Sequence, residues 1–130
     1  MRRPIAEPCL GCPVDEDPLD YISNAWKSVP EINRQNEGQF YLVPITVLRA
    51  QTQIVAGFIT MLKVLVGEST CQKSKEPVAA EQITAAKCTL KEGARRALYD
   101  VQIYEKPWKK LVQITATKIR DVADEEKKHL

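Results

Sequence analysis

The chain has 130 residues, a mass of 14.7 kDa and 44% hydrophobic content, enough to bury one modest core and too little chain for a large enzyme. Nineteen lysines and arginines interspersed with seventeen acids leave a net charge of +2, so charge alone implies no nucleic-acid partner and no polyelectrolyte tail. Four cysteines, Cys9, Cys12, Cys71 and Cys88, are too few for a disulfide-dense mini-protein and fit either two disulfides or one zinc site.

In chain order, residues 1–16 hold three prolines and only isolated apolar residues, which predicts an extended N-terminal arm. Its basic start is not followed by the apolar run of a signal peptide, and no window approaches the roughly 18 apolar residues of a membrane span. A soluble chain without a membrane partner is expected, with any secretion signal already removed. Asp17-Pro18-Leu19-Asp20 reads as a helix start, with an N-cap carboxylate and proline at the first helical position. Leu19, Ile22, Trp26, Val29 and Ile32 then fall on one face of a long helix, which Pro30 should kink or end near Val29, and Asn36-Glu37-Gly38 closes the segment.

From Phe40 the period changes to two. Runs from Phe40 to about Thr52 and from Phe58 to Val66 flank Gly57 and predict a hairpin. Residues 71–94 are polar, contain a proline and a weakly helical stretch from Val78 to Ala86, and read as a long excursion. Ala97 to Tyr104 and Leu111 to Ile119 form a second hairpin around Lys106-Pro107-Trp108, and 121–130 reads as a charged, fraying tail. The expected architecture is α+β: one domain spanning 1–130, with one long helix on a four- to five-stranded antiparallel sheet.

The cysteines do not spell catalysis. Cys9-Leu10-Gly11-Cys12 has redox spacing, but neither the helix N-terminus nor the βαβ setting that a reactive dithiol needs. Cys71 and Cys88 lie too far apart for the second close pair of a zinc ribbon, and His129, the only histidine, lies in the charged tail. No nucleophile has a base beside it, so an enzyme is not expected, and no cofactor or metal is called for. A Cys71–Cys88 bridge across the excursion is favoured, worth about 3 kcal/mol by loop closure, and it implies an oxidising compartment.

Two chain turns break the usual rule for solvated loops. Gln53-Ile54-Val55-Ala56-Gly57 carries β-branched apolar residues at a hairpin tip where Asn, Asp or Ser is usual, and Pro107-Trp108 repeats the anomaly at the second tip. Each packs locally or is offered to a partner.

Those residues carry a family resemblance over nearly the full length. Leu10-Gly11 in the arm, the helix, Gln-x-Val-x-Gly as Gln53, Val55 and Gly57, and Pro107-Trp108 in the last hairpin resemble the cystatins, inhibitors of papain-like cysteine peptidases. Cys71 after the second strand and Val101-Gln102-Ile103-Tyr104 look like the secreted type 2 branch, and Cys9 and Cys12 around Gly11 resemble the Cys-x-Gly-Cys opening of kininogen domains. The resemblance implies reversible, competitive, non-covalent inhibition of cathepsin L or papain-type peptidases. Leu10 would fill an unprimed subsite, Gly11 would supply the bend, Gln53, Ile54, Val55, Ala56 and Gly57 would lie over the catalytic cysteine, and Pro107 and Trp108 would cover the primed side. It also implies a secreted monomer able to exchange its first hairpin between two chains. The alternative is a cystatin-fold binding module of a larger carrier or defence protein with little inhibition.

The departures are specific. Where type 2 members usually carry a second disulfide this chain has Tyr99 and approximately Ile119, so an apolar pair is expected there. A Cys9–Cys12 cystine, whose formation the sequence leaves open, would stiffen the arm. Some cystatins also block legumain from the turn after the helix; here Asn36 is displaced by one position, and a helix-terminating turn is the favoured reading.

Overall fold

The computed structural model describes residues 11–73 and 87–122. Five antiparallel strands follow one another across a single sheet in sequence order: β1 (Val14–Glu16), β2 (Phe40–Val55), β3 (Gly57–Gln72), β4 (Arg96–Lys106) and β5 (Leu111–Val122). Between β1 and β2 lie a 3-10 turn (Pro18–Tyr21) and two short helices, α1 (Ile22–Lys27) and α2 (Val29–Arg34).

The helical segment starts as expected, with the Asp17 carboxylate accepting from the Leu19 amide at 3.0 Å. It is interrupted where Pro30 removes an amide donor and its ring crowds the carbonyl four residues back. Ser28, fully buried at the break, donates its hydroxyl to the Ala25 carbonyl at 2.6 Å and so satisfies an acceptor inside the core. The segment therefore runs as two short helices that meet at Ser28 instead of one continuous helix.

The buried face matches the expected one at Val29 and Ile32 and departs from it toward the N-terminal end. Ala25, Ser28, Val29 and Ile32 are buried, whereas Leu19 is 76% exposed and Ile22 is also exposed. Small side chains at 25 and 28 let the helical backbone approach the sheet, which a face chosen by large apolar residues misses. The helices close over a core of Leu42, Val47 and Ala50 from β2, Leu62, Val64 and Val66 from β3, Tyr99, Val101 and Ile103 from β4 and Ala116 from β5. Leu65, which breaks the alternation of β3, joins Leu98, Val122, Ile45 and Leu48 in a second, smaller cluster; by alternation along β3 and β4 this lies on the other face.

The hairpins are longer than the sequence pattern. β2 and β3 each span sixteen residues and pair up to Val55 opposite Gly57, leaving only Ala56 at the apex. Three register irregularities bend β2, and Pro44 sits beside one of them, where a missing amide is tolerated. β5 continues through Asp121 and Val122, so the first two residues of the expected tail are paired strand. Residues 123–130, the helical stretch expected at Val78 to Ala86, and the arm up to Leu10 lie outside the described residues.

Cys71 and Cys88 are bonded to each other, with Cα atoms 5.3 Å apart, and pack with Trp26, Val29, Tyr41 and Val43. The bridge thus ties β3 and the returning chain to the helices. The expected Tyr99–Ile119 pair does not form. A register shift after Leu98 sets Tyr99 opposite Lys118, so Tyr99 enters the core under the helices while Ile119 faces solvent at 42% exposure. Among the described residues no helix is long and apolar enough to cross a membrane.

Candidate functional site

One end of the sheet gathers the first hairpin tip, the second hairpin tip and the start of the described chain. From Arg49 opposite Lys63 onward β2 and β3 hold their register to the last pair, so the tip is placed by a continuous ladder and not by its own turn chemistry. Gly57 is the residue that permits this. Its φ of +128° is one that L side chains rarely adopt, and a Cβ there would lie 2.5 Å from the Glu105 carbonyl oxygen. The backbone of β4 therefore packs directly behind the first tip. Ile54 is 66% exposed, with Val55 and Phe58 beside it also exposed.

β4 leads from that contact into the second tip. Pro107–Lys109 make one 3-10 turn, which Lys110 ends in the left-handed region at φ 50°, donating its amide to the Pro107 carbonyl at 3.0 Å. Proline sets the turn's first φ, and nothing in the turn covers the indole: Trp108 is 63% exposed. Of the two alternatives open at this tip, packing against the sheet or facing outward, the structure has the second.

The arm reaches the same end from the β2 side. β1 pairs Val14 with Thr52 and Glu16 with Ala50, Gln51 donates to Asp15 at 2.8 Å, and Thr52 donates to Glu16 at 2.9 Å. Beyond β1, Gly11 turns with φ +84° and accepts a hydrogen bond from the Gln53 side-chain amide at 2.7 Å. Cys12 is disulfide-bonded. Cys9 and Leu10, and with them the pairing of Cys9 and the place of the Leu10 side chain, lie outside the described residues.

Tyr104 is the residue at this end that sequence reasoning missed. Its hydroxyl donates to the Ala56 carbonyl at 2.7 Å, so β4 braces the apex of the other hairpin. A Cβ on Gly57 would meet its ring edge at 3.0 Å, and the Lys106 ammonium lies 5.6 Å from the ring centroid on the other hand. The available signal is an aromatic residue three positions before Pro107 in an alternating strand. Its partner depends on cross-strand register, which periodicity does not supply.

The electrostatics of the three elements are simple. Residues 51–60 carry no charged side chain, whereas Lys106, Lys109 and Lys110 flank Trp108 along the chain. The surface is an apolar ridge with a cationic flank. Among the described residues, the exposed side chains of the two tips are apolar or cationic, a surface chemistry suited to binding.

The opposite end of β4 and β5 holds a cavity of about 390 Å³ lined in part by Asn36, Gly38, Tyr99, Lys118 and Asp121. Several of its polar side chains are engaged: Asn36 donates to the Phe40 carbonyl and accepts from the Gly38 amide, Gln35 donates to the Ala116 carbonyl, and Lys118 pairs with Asp121 at 2.8 Å, whereas the Arg96 Nε is buried there without a hydrogen-bond partner among the described residues. That hydrogen bond holds the Asp121 carboxyl below the usual carboxylate range, and burial raises the Tyr99 phenol. The Asn36 side chain is thus committed to closing the turn after the helices.

Comparison with known proteins places these features in context. Residues 11–108 match the family model described as Cystatin domain. The chain is 54% identical over 113 residues to Cystatin cpi-1 of Caenorhabditis elegans, covering 87% of this chain and 81% of that protein. It is 29% identical over 102 residues to Cystatin cpi-2 of Brugia malayi, covering 78% of this chain but only 59% of that relative. Among solved structures, that of Al-CPI superposes with a TM-score of 0.67 at 25% identity, over 84% of this chain and all of its own.

Proposed function

The chain belongs to the cystatin family, and on that premise we propose that it is a reversible, competitive, non-covalent inhibitor of papain-like cysteine peptidases of the papain and cathepsin L type. In this reading Leu10 enters an apolar subsite on the unprimed side of the cleft and Gly11 gives the arm its bend. Gln53, Ile54, Val55, Ala56 and Gly57 lie over the catalytic cysteine, and Pro107 and Trp108 cover the primed side. Burying exposed apolar side chains without ordering a floppy loop is the arrangement that yields affinity, because little entropy is left to lose. Inhibition is non-covalent because binding is through side chains and tips, with no peptide bond held in attack geometry over the thiol.

The observation that carries the reading is the exposure of Ile54 and Trp108 at tips that the chain itself holds side by side through Gly57 and β4. The Cys71–Cys88 bond agrees with an oxidising, extracellular workplace. The active species is a single-domain monomer. Exchange of the first hairpin between chains would open the Gln53 to Gly57 tip, so an exchanged dimer is inactive.

Titration of active-site-counted papain with the chain tests the proposal. Stoichiometric loss of activity, reversed by dilution and relieved by excess substrate, is expected. Papain left fully active by a folded monomer defeats it.

A further inference from the structure

The geometry points to Tyr104 as the positioning residue of the candidate site, a strut that works with Gln53 to hold arm, first tip and second hairpin as one preassembled edge; this rests on the inhibitory reading above. Two side chains reach across from regular strands to backbone carbonyls where the chain leaves regular pairing. Gln53 on β2 donates to Gly11, and Tyr104 on β4 donates to Ala56, each at 2.7 Å. The donors stand on strands whose register is continuous around them, Gln53 opposite Ile59 and Tyr104 opposite both Ile59 and Gln113. A β-branched tip without Asn, Asp or Ser has no side chain of its own to cap its carbonyls, so its shape must be imposed from outside. Tyr104 supplies that constraint with only two side-chain torsions. Its ring edge would lie 3.0 Å from a Cβ at Gly57, and the Lys106 ammonium is 5.6 Å from the ring centroid.

Three separate pieces must engage a cleft together, and the measured affinity is the intrinsic one scaled by the fraction of chains that present them in register. The strut raises that fraction without touching the target. Its role differs from that of Trp108, whose exposed indole makes contact, and from that of a core residue, whose loss weakens the whole sheet.

Tyr104→Phe removes one oxygen and keeps the ring. We expect its inhibition constant against papain to rise about tenfold, the scale of one neutral hydrogen bond. Amide exchange at Ala56, Gly57 and Phe58 should quicken several-fold while exchange in the middle of β3 and β4 and the melting temperature stay as in the parent. Gln53→Ala should show the matching pattern at the arm, with faster exchange at the Cys12 and Val14 amides. An unchanged inhibition constant for Tyr104→Phe overturns the inference, as does unchanged exchange at the tip. So does acceleration spread evenly over the sheet with a lowered melting temperature, which marks an ordinary structural residue. If the parent chain itself leaves papain active, the inhibitory reading fails and the purpose assigned to the strut falls with it, while the exchange data still decide whether the strut exists.

Discussion

Gly57 is where two independent constraints meet in one residue. Positive φ alone would disfavour a side chain, and the Glu105 carbonyl 2.5 Å from a built Cβ makes even alanine push two hairpins apart. Gly57→Ala is therefore expected to cost about 1–3 kcal/mol, read by urea unfolding, and to weaken papain inhibition beyond what the lost stability explains because the tip itself is displaced. Trp108 predicts the reverse separation. Its indole is already 63% exposed, so Trp108→Ala should change stability by no more than about 0.5 kcal/mol. As an aromatic anchor it should carry about 2 kcal/mol or more of binding, roughly a thirtyfold rise in the inhibition constant against papain. Equal losses in both assays would make it a packing residue. Both residues are legible in the sequence, because an apolar turn and a Pro-Trp pair at a hairpin tip violate a local rule, although only the structure shows the indole facing outward. Tyr104 is not legible, since nothing within its own strand says that the residue it caps lies 48 positions earlier.

At the scale of elements, the least legible feature is how the helical segment meets the sheet. Hydrophobic spacing finds a helix but favours the face with the largest side chains, whereas packing selects Ala25 and Ser28 for closeness and leaves Leu19 in solvent. The seam is then locked by a polar residue that no apolar pattern reveals. Asn33 uses its whole hydrogen-bonding capacity: its amide nitrogen donates to Val29 and Leu42, and its oxygen accepts from the Leu42 backbone and from the Asn36 side chain. Asn33→Asp keeps size and shape but turns two donations into repulsions between oxygens. It should destabilise the fold by about 2–3 kcal/mol, measured by chemical unfolding, and the loss should grow as pH rises through the carboxylate range. A cost below about 0.5 kcal/mol at neutral pH would show the seam to be wet and the network unimportant. Papain inhibition should be spared at temperatures where the fold persists, because Asn33 lies on the helical segment and not at the tips.

For the molecule as a whole, the proposed binding edge and the disulfide occupy opposite ends of the same strand. β3 begins at Gly57 in the candidate edge and carries Cys71 fourteen positions later, a span of roughly 45 Å at strand rise. Alternating patterns showed that two hairpins and a helix belong together, and the seventeen-residue separation of the cysteines suggested the bridge. Strand length, the three irregularities of β2 and the shift after Leu98 were beyond reach, since each is decided by how the sheet wraps its helices. That wrapping predicts a separation of stability from binding. Replacing both Cys71 and Cys88 by alanine should remove about 3 kcal/mol of loop-closure stabilisation, with a further loss where Cys88 is buried against Val29 and Val43. For a chain of this length that is a fall in melting temperature of about 10–15 °C. The inhibition constant for papain at 25 °C should stay within about twofold, because the ladder from Met61 to the tip is untouched and bears the load on its own. Substitution is the informative experiment and chemical reduction is not, since a reductant also opens the bond at Cys12, one residue from the Gly11 carbonyl that Gln53 holds. A tenfold loss of inhibition in the double variant, with the chain still folded, would mean that the far end of the sheet sets the geometry of the tips, and the independence of the two ends would be wrong.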